Sequence, residues 1–217
     1  MQKKPHVLIT NDDGIDAIGI KYLWQALVKD FTISIVAPTT EKSGSGLAIT
    51  LRDPLHIQEV PWEKGTHAWR VSGTPADCIR MGMRVLLDSP PDLIVSGINR
   101  GSNAGRNVLY SGTVGGVIEG VLRNVPGIAF SCDNYDHPDY ATAEKHVLPI
   151  VRYMLDHPLP RGTLLNVNVP TSPKILGVKL ASQGRSYWIE NPDERVHPEG
   201  RPYYWLGGKW EDHQEET

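Results

Sequence analysis

A strand, a helix and a second strand follow one another at the start of the chain, and this order constrains the fold most. Residues 7–10 form a short apolar, β-branched run typical of a buried strand. Residues 15–29 carry apolar side chains at helical spacing, and residues 32–37 form a second strand-like run that Pro38 ends. Because strands joined by a helix lie parallel, we expect an α/β domain with a mostly parallel sheet.

Similar runs continue along the chain and extend the predicted sheet. Further strands are predicted at residues 93–97, 127–131, 163–169 and 176–180. Helices are predicted at residues 75–87, 113–123 and 140–155. Short extended pieces at residues 48–51, 55–60 and 67–71 predict a small antiparallel insertion or sheet edge.

Asn11, Asp12 and Asp13 come directly after the first strand, where open parallel sheets bind ligands. Two adjacent carboxylates repel one another unless they share a proton or a cation. Mg²⁺ or Mn²⁺, which prefer oxygen ligands, would relieve this repulsion. Both carboxylates can reach one ion only if the chain turns at once, and Asn11 and Gly14 favour such a turn. Since Asn-Asp-Asp-Gly is also ordinary turn chemistry, a turn without a metal is the alternative.

Three further polar loops follow predicted strand ends. Residues 41–46 offer hydroxyls and flexible amides, and residues 96–103 offer amide and hydroxyl oxygens beside Arg100. Residues 111–116 lead into a helix whose free N–H groups suit a phosphate. Each loop alone is explained by a linker, a turn or a helix cap. Their shared position beyond the strand ends favours one common site.

Charge and composition exclude several classes of protein. A formal net charge of −3 offers no basic surface for nucleic acid. With only Cys78 and Cys132 present, neither a disulfide framework nor a cysteine-rich zinc site is expected. Cys132 follows a strand, but no patterned histidine accompanies it, so a small buried residue is favoured over a nucleophile. The N-terminus has no apolar signal segment and no run is long enough to span a membrane, which predicts a cytoplasmic protein.

Aromatic residues crowd into the last part of the chain, from residue 183 onwards. Half of the six tryptophans lie there, among proline, glycine and charged residues. Exposed aromatics on a hairpin-like arm favour a partner surface, whereas the alternative is that they cover the chain's own body. The composition change predicts a boundary between residues 1–180 and an arm at residues 181–217.

Five sequence blocks together resemble the SurE family, the "survival protein E" nucleotidases. They are residues 9–14, Ala37-Pro38 with Ser43-Gly44, residues 72–78, residues 92–101 and residues 110–114. The resemblance implies a metal-dependent phosphomonoesterase that hydrolyses nucleoside 5′- and 3′-monophosphates and also short-chain polyphosphate. It also implies a Rossmann-like three-layer domain with a small β-rich arm for dimerisation, in a homodimer or tetramer. In the family pattern a further strand and helix usually follow the part that this chain matches.

The resemblance also assigns roles to individual residues of this chain. It implies that Asp12, Asp13 and Asn99 act in catalysis. The implied metal ligands are Asp12, Asp13, Ser43 and Asn99. The implied phosphate-binding residues are Asn11, Gly44, Ser102, Asn103, Ser111, Gly112 and Thr113.

Two other functions are left open by the residues themselves. One is a nucleotide or phosphate sensor that binds without turnover. The other is an acyl or glycosyl hydrolase that uses Ser43 or Ser111, although neither has a recognisable paired histidine. For the phosphatase, an aspartyl-phosphate is the rival to direct attack by water. If the metal engages both carboxylates, a metal-activated water becomes the better nucleophile and phosphorus is inverted.

Overall fold

A seven-stranded, mostly parallel sheet forms the centre of the main domain. The computed structural model describes residues 4–211, so residues 212–217 and the side chain of Trp210, which the arm prediction includes, lie outside the described part. The sheet strands are β1 His6–Thr10, β2 Thr32–Pro38, β3 Ile57–Val60, β4 His67–Val71, β5 Leu93–Arg100, β6 Gly127–Cys132 and β7 Leu165–Val169. Their order is β3-β4-β2-β1-β5-β6-β7, and every pair is parallel except β3 with β4.

Helices cover both faces of this sheet, which makes the domain three-layered. Within residues 4–211 the α-helices are α1 Ile18–Leu27, α2 Pro75–Met81, α3 Gly112–Val121 and α4 Tyr140–Asp156. α1 and α4 pack together on one face, and α2 and α3 pack together on the other. The alternation along β1 reflects both layers, because Val7 and Ile9 join the α1–α4 core whereas Leu8 contacts Gly82 after α2. The predicted α/β class with a mostly parallel sheet is confirmed.

Helices α2, α3 and α4 begin within one residue of their predicted starts, whereas α1 begins at Ile18, three residues later than predicted. The predicted apolar stripe of α1 is also partly wrong, because Ile18, its first member, is 62% exposed. α1 buries Ile20, Leu23, Trp24 and Leu27, which recur at helical spacing. α2 starts with a capping box between Thr74 and Asp77, with proline at the first helical position. It ends at Met81, and a single π-helical turn at Gly82–Leu86 replaces its predicted last part.

A buried carboxylate ties α2 to α3 on the second face. Glu119 of α3 accepts from Nε of Arg80 at 2.9 Å and from Nη2 of Arg123 at 2.7 Å. The side chain of Glu119 is buried, whereas both arginines are partly exposed. This ion cluster fixes α3, whose N-terminus reaches the candidate site.

Two predicted strands are wrong. Residues 48–51 form no strand because side chains capture their backbone groups: Oγ1 of Thr74 donates to the Ala48 carbonyl at 2.6 Å, and the Thr50 amide donates to Asp77 at 3.0 Å. Residues 176–180 form no strand either, and Leu180 is 88% exposed. The predicted antiparallel piece is the β3–β4 pair, which forms the edge of the main sheet.

The chain divides into two compact units. One comprises the chain up to Asn103 together with Leu109–Leu176, and the other comprises Ala104–Val108 and Gly177–Thr217. The second unit contains two antiparallel pairs, β8 Tyr187–Glu190 with β11 Gly208–Glu211 and β9 Asp193–Val196 with β10 Pro202–Trp205. It is thus β-rich, as the resemblance implies.

The second unit exposes several aromatic side chains, and one of its arginines packs on the ring of one of its tyrosines. The Arg106 guanidinium lies 4.6 Å from the ring centroid of Tyr187. The exposed aromatics of its strands are Trp188, Tyr203, Tyr204 and Trp205. The use of this unit for dimerisation stays a prediction. None of the helices within residues 4–211 has the length and apolar character that a bilayer crossing requires.

Candidate active site

The chain turns immediately after β1, and the side chain of Asn11 makes this turn. Its Nδ2 donates to the Gly14 carbonyl oxygen at 2.9 Å, and its Oδ1 accepts the Gly14 amide at 3.2 Å. Gly14 has a φ of +102°, which favours glycine. The turn presents Asp12 and Asp13 together at the carboxyl edge of the sheet. Because the buried amide of Asn11 is engaged at both ends, its phosphate-binding role stays a prediction.

Asp12 is a buried carboxylate whose partners come from the start of α3. Oγ1 of Thr113 donates to Oδ1 of Asp12, and the backbone amides of Gly112 and Thr113 also donate to the carboxylate. Burial raises the pKa of Asp12 above its ordinary value, and these hydrogen bonds oppose the rise. The sequence predicts that the first amides of α3 bind a phosphate, and in the structure these amides face Asp12.

Asp13 is the less satisfied member of the carboxylate pair. Its Oδ2 is buried and has no hydrogen-bond partner among the described residues. Burial raises the pKa of Asp13 to about 7, the charge of Asp12 adds to the rise, and the amide of Arg100 opposes it. A divalent cation with oxygen ligands fits here, because it would give Oδ2 a partner and remove the repulsion. A turn without a ligand would instead leave a buried carboxylate oxygen unpaired, which costs free energy.

A β-bulge near the end of β5 positions Asn99. The pairing with β6 shifts by one residue between Ser96 and Asn99, and bulges of this kind re-aim side chains. Gly97 lies in the bulge with a φ of +121°, and a Cβ there would lie 2.3 Å from the Phe130 carbonyl oxygen. Nδ2 of Asn99 donates to the Gly101 carbonyl at 2.7 Å. The atom of Asn99 that could bind a cation is therefore Oδ1.

The loop that follows β2 lies against Asp12 and the start of α3. The Lys42 amide donates to the Asp12 carbonyl oxygen at 2.7 Å. A Cβ on Gly112 would lie 2.7 Å from Oγ of Ser45 and 2.9 Å from Oδ2 of Asp12. The absence of a side chain at Gly112 thus allows the loop and the carboxylate to approach the helix.

Ser43 and Gly44 occupy the exposed part of the same loop. Oγ of Ser43 donates to Oε1 of Glu41 at 2.7 Å, and Gly44 has a φ of +74°. Further along, the amide and hydroxyl of Thr50 donate to Asp77 at 3.0 and 2.7 Å. Asp77 is a first-turn helix charge, as the sequence predicts, and it also tethers the loop that carries Ser43.

Two asparagines on β7 hold the loop at residues 102–103, and the sequence reasoning missed them. Oδ1 of Asn168 accepts the Asn103 amide at 2.8 Å and the Ser102 hydroxyl at 3.1 Å. Nδ2 of Asn166 donates to the Asn103 carbonyl at 2.8 Å. Residues two apart on a strand share one face. Alternating amides inside a strand of the sheet are the signal that could have identified them.

Ser111 and the two cysteines have structural roles in this arrangement. Oγ of Ser111 accepts the Val114 amide at 3.1 Å and so caps α3. Burial raises the pKa of the Cys132 thiol to about 12 and that of Cys78 well above its ordinary value. Both thiols are therefore protonated at neutral pH, in agreement with the prediction of a small buried residue at Cys132.

Two of the four implied metal ligands are the carboxylate pair itself, and the other two are chain neighbours of residues that hydrogen-bond to that pair. Ser43 follows the residue whose amide donates to Asp12, and Asn99 precedes the residue whose amide donates to Asp13. Within residues 4–211 no group of three or more His, Cys, Asp or Glu side chains could hold a metal ion. The implied set differs from such a group because it has two carboxylates, one hydroxyl and one amide oxygen. The assignment of all four ligands stays a prediction.

A family model described as "Survival protein SurE" matches residues 7–190. The chain belongs to the SurE family. The family that the five sequence blocks indicate is thereby confirmed. The match includes the carboxylate pair, the loop after β2, the loop after β5, and strands β7 and β8.

Similar proteins agree with this membership along most of the chain. The "5′-nucleotidase SurE" of Protochlamydia amoebophila is 48% identical, over 99% of this chain and 84% of that protein. The "5′-nucleotidase SurE" of Thermosipho africanus is 44% identical, over 94% of this chain and 80% of that protein. The crystal structure of the SurE protein from Aquifex aeolicus is 36% identical and superposes with a TM-score of 0.82, covering 98% of this chain and 86% of that one.

Proposed function

We propose that this SurE chain is a 5′-nucleotidase that needs a divalent cation, Mg²⁺ or Mn²⁺, to release phosphate from nucleoside monophosphates. Its family membership and its relatives, which are 5′-nucleotidases by name, support the phosphatase activity. The observation that carries the cation requirement is the adjacent pair of Asp12 and Asp13, with one buried carboxylate oxygen unpaired. The implied 3′-nucleotidase and short-chain polyphosphatase activities belong to the same proposal.

Four residues of the site would hold the cation through oxygen atoms: Asp12, Asp13, Ser43 and Asn99. When bound, a divalent cation supplies electrophilic activation of the phosphoryl group and of water. The protein's own contribution is to keep both carboxylates fixed, by the turn after β1 and by the amides of α3 and β5. This preorganisation costs nothing at the moment of reaction.

The phosphate is expected between the carboxylate pair and the polar loops around it. The loop at residues 102–103 is held by β7, so its hydroxyl and amide groups are fixed in place. Gly44 lies in the exposed part of the loop after β2, and its backbone amide is a further candidate donor to the phosphate. The start of α3, with Ser111, Gly112 and Thr113, adds the positive end of the helix dipole.

In the proposed reaction water attacks phosphorus directly. Its oxygen forms the new bond to phosphorus and the water gives up a proton. The ester oxygen leaves with the bonding electrons and takes up one proton, so the products are nucleoside and inorganic phosphate. Since both carboxylates would serve as cation ligands, neither would be free to attack phosphorus. A chiral phosphorothioate substrate distinguishes the routes: inversion is expected, and overall retention would mean an aspartyl-phosphate and two displacements.

The activity is tested by phosphate release from 5′- and 3′-monophosphates of several bases and from tripolyphosphate. Release should require Mg²⁺ or Mn²⁺ and stop on chelation. Asp13→Asn should lose Mn²⁺ binding by calorimetry and lose turnover, whereas Asp16→Asn, an exposed aspartate in the same loop region, should change neither. Nucleotide binding without release would favour the sensor, and turnover with a chelator present would contradict the cation requirement.

The second unit is expected to form the contact between subunits. Its exposed tryptophans and tyrosines are large apolar surfaces of the type found at interfaces. Light scattering should give the mass of a homodimer or tetramer, and deletion of residues 184–208 should give a monomer or an aggregating protein. An unchanged dimeric mass after the deletion would contradict this role.

A further inference from the structure

Tyr135 is an exposed aromatic side chain in the loop between β6 and α4, at the carboxyl edge of the sheet. It is 55% exposed although one face of its ring is covered. The guanidinium of Arg100 lies 4.2 Å from the ring centroid, and Nη2 of Arg100 donates to the phenol oxygen at 2.7 Å. The ring also lies beside Gly101, where a Cβ would be 3.2 Å from Cδ2 of Tyr135. The ring is therefore held in one orientation while more than half of the residue stays exposed.

The same arginine links this ring to the carboxylate pair. The backbone amide of Arg100 donates to the Asp13 carboxylate, while its side chain stacks on Tyr135. At the other end of the loop, burial raises the pKa of Tyr140 to about 12 and the charge of Asp13 adds to the rise. The β6 end of the loop, Cys132, pairs with Arg100 across the sheet, so it lies beside the residue whose amide donates to Asp13. Tyr135 is at the rim of the candidate site rather than on a remote surface.

The loop that carries Tyr135 is ordered by its own hydrogen bonds. Oδ1 of Asp133 accepts the Thr171 amide at 2.7 Å, and Oδ1 of Asn134 accepts the His137 amide at 2.9 Å. A ligand that stacks on a fixed ring does not have to order it first, which reduces the entropic cost of binding.

We propose that Tyr135, supported by Arg100, is the surface on which the base of a nucleoside monophosphate stacks. The inference rests on the proposed nucleotidase activity and adds the residue that distinguishes nucleotides from other phosphate esters. Every base has a π face, so stacking tolerates different bases. A single ring without base-specific hydrogen bonds gives a broad nucleotidase that favours purines, whose larger rings stack more strongly. The positive charge of Arg100 also favours the phosphate end of the same ligand.

The test compares 5′-AMP with ribose 5-phosphate, which carries the same phosphate ester without a base. The quantity measured is the ratio of kcat/KM for the two substrates. Because base–aromatic stacking contributes about 1–3 kcal/mol, the ratio should fall roughly 5- to 150-fold in Tyr135→Ala, mainly through KM for 5′-AMP. Tyr135→Phe keeps the ring and loses only the phenol contact, so it should keep most of the ratio.

A matched control is Tyr153, an exposed tyrosine of α4 whose ring stacks on that of His157, with centroids 4.3 Å apart. Tyr153→Ala should leave the ratio at its wild-type value. Circular dichroism and the melting temperature of each variant identify any loss of folding. Calorimetric titration of 5′-AMP and ribose 5-phosphate gives the same ratio as binding constants, so the inference is tested even if the protein binds nucleotides without turnover.

Three results would overturn the assignment. An equal loss for both substrates in Tyr135→Ala would mean that the ring only orients Arg100. An unchanged ratio would mean that the base does not contact this ring. A ratio that falls in Tyr110→Ala, the other exposed tyrosine beside the phosphate loops, and not in Tyr135→Ala would assign the base to the opposite side of the site.

Discussion

Replacing Asp13 by asparagine should remove the contribution of this carboxylate to the pH dependence of stability in the metal-free protein. Burial, with the charge of Asp12, raises the pKa of Asp13 from 3.8 to about 7 in the folded state. Between these values the folded protein holds a proton that the unfolded chain has lost. Stability therefore falls as the pH rises through this window and stays low above it.

The expected size of this effect follows from the pKa difference. A rise from 3.8 to about 7 corresponds to roughly 4 kcal/mol of unfolding free energy over the whole window. Between pH 5 and pH 8, the wild-type protein should lose about 3 kcal/mol through Asp13. Asparagine carries no charge at either pH, so Asp13→Asn should lack this contribution.

Urea unfolding at pH 5 and pH 8 in the presence of a chelator measures this change in the free energy of unfolding. Any fixed cost of burying the asparagine amide cancels when each protein is compared with itself at the two pH values. Asp16→Asn is the matched control and should keep the wild-type pH dependence, since Asp16 is exposed. Saturating Mn²⁺ should stabilise the wild type at pH 8 and have little effect on Asp13→Asn. An identical pH dependence in wild type and Asp13→Asn would refute the reasoning.

Three other substitutions test the supports of the site. Glu119→Gln leaves two arginines around a neutral side chain and should cost about 3 kcal/mol in urea unfolding, the low end for a broken buried pair because both cations are partly exposed; an unchanged midpoint would contradict this. Gly112→Ala puts a methyl group 2.7 Å from Oγ of Ser45 and should lower kcat/KM at least about tenfold, whereas Gly184→Ala, with no atom within 4 Å, should not. Asp77→Asn removes the ionised acceptor of the loop tether, so calorimetry should report weaker Mn²⁺ binding; an unchanged affinity would show that the tether does not affect the ligands.

Much of the main sheet is predictable because its strands are continuous β-branched runs buried on both faces. The two wrong strands show what such patterns omit. Residues 48–51 resemble a strand by composition, but the side chains of Thr74 and Asp77 take their backbone groups. Residues 176–180 are equally strand-like, yet a strand also needs a neighbouring edge, and nothing in a local window reports whether one is present.

Part of the candidate site can likewise be predicted from the sequence, and part of it cannot. Asp12 and Asp13 can be recognised from the sequence because adjacent carboxylates at a strand end need a charge partner. The position of Asn99 cannot, because β5 continues three residues beyond Gly97 through a bulge that strand patterns do not reveal. The supporting asparagines of β7 are also missed, since their role depends on a loop that is distant in the chain.

The asparagines of β7 have a consequence for the order in which the protein can become active during synthesis. Ser102 and Asn168 are separated by 66 residues. At 5–20 residues per second, roughly 3–13 s pass between the synthesis of the loop and that of the strand that holds it. A nascent chain thus contains its carboxylate pair long before it contains the strand that holds the loop at residues 102–103. Nascent chains that end just before β7 should lack the organised phosphate loop, even where the earlier strands have already paired.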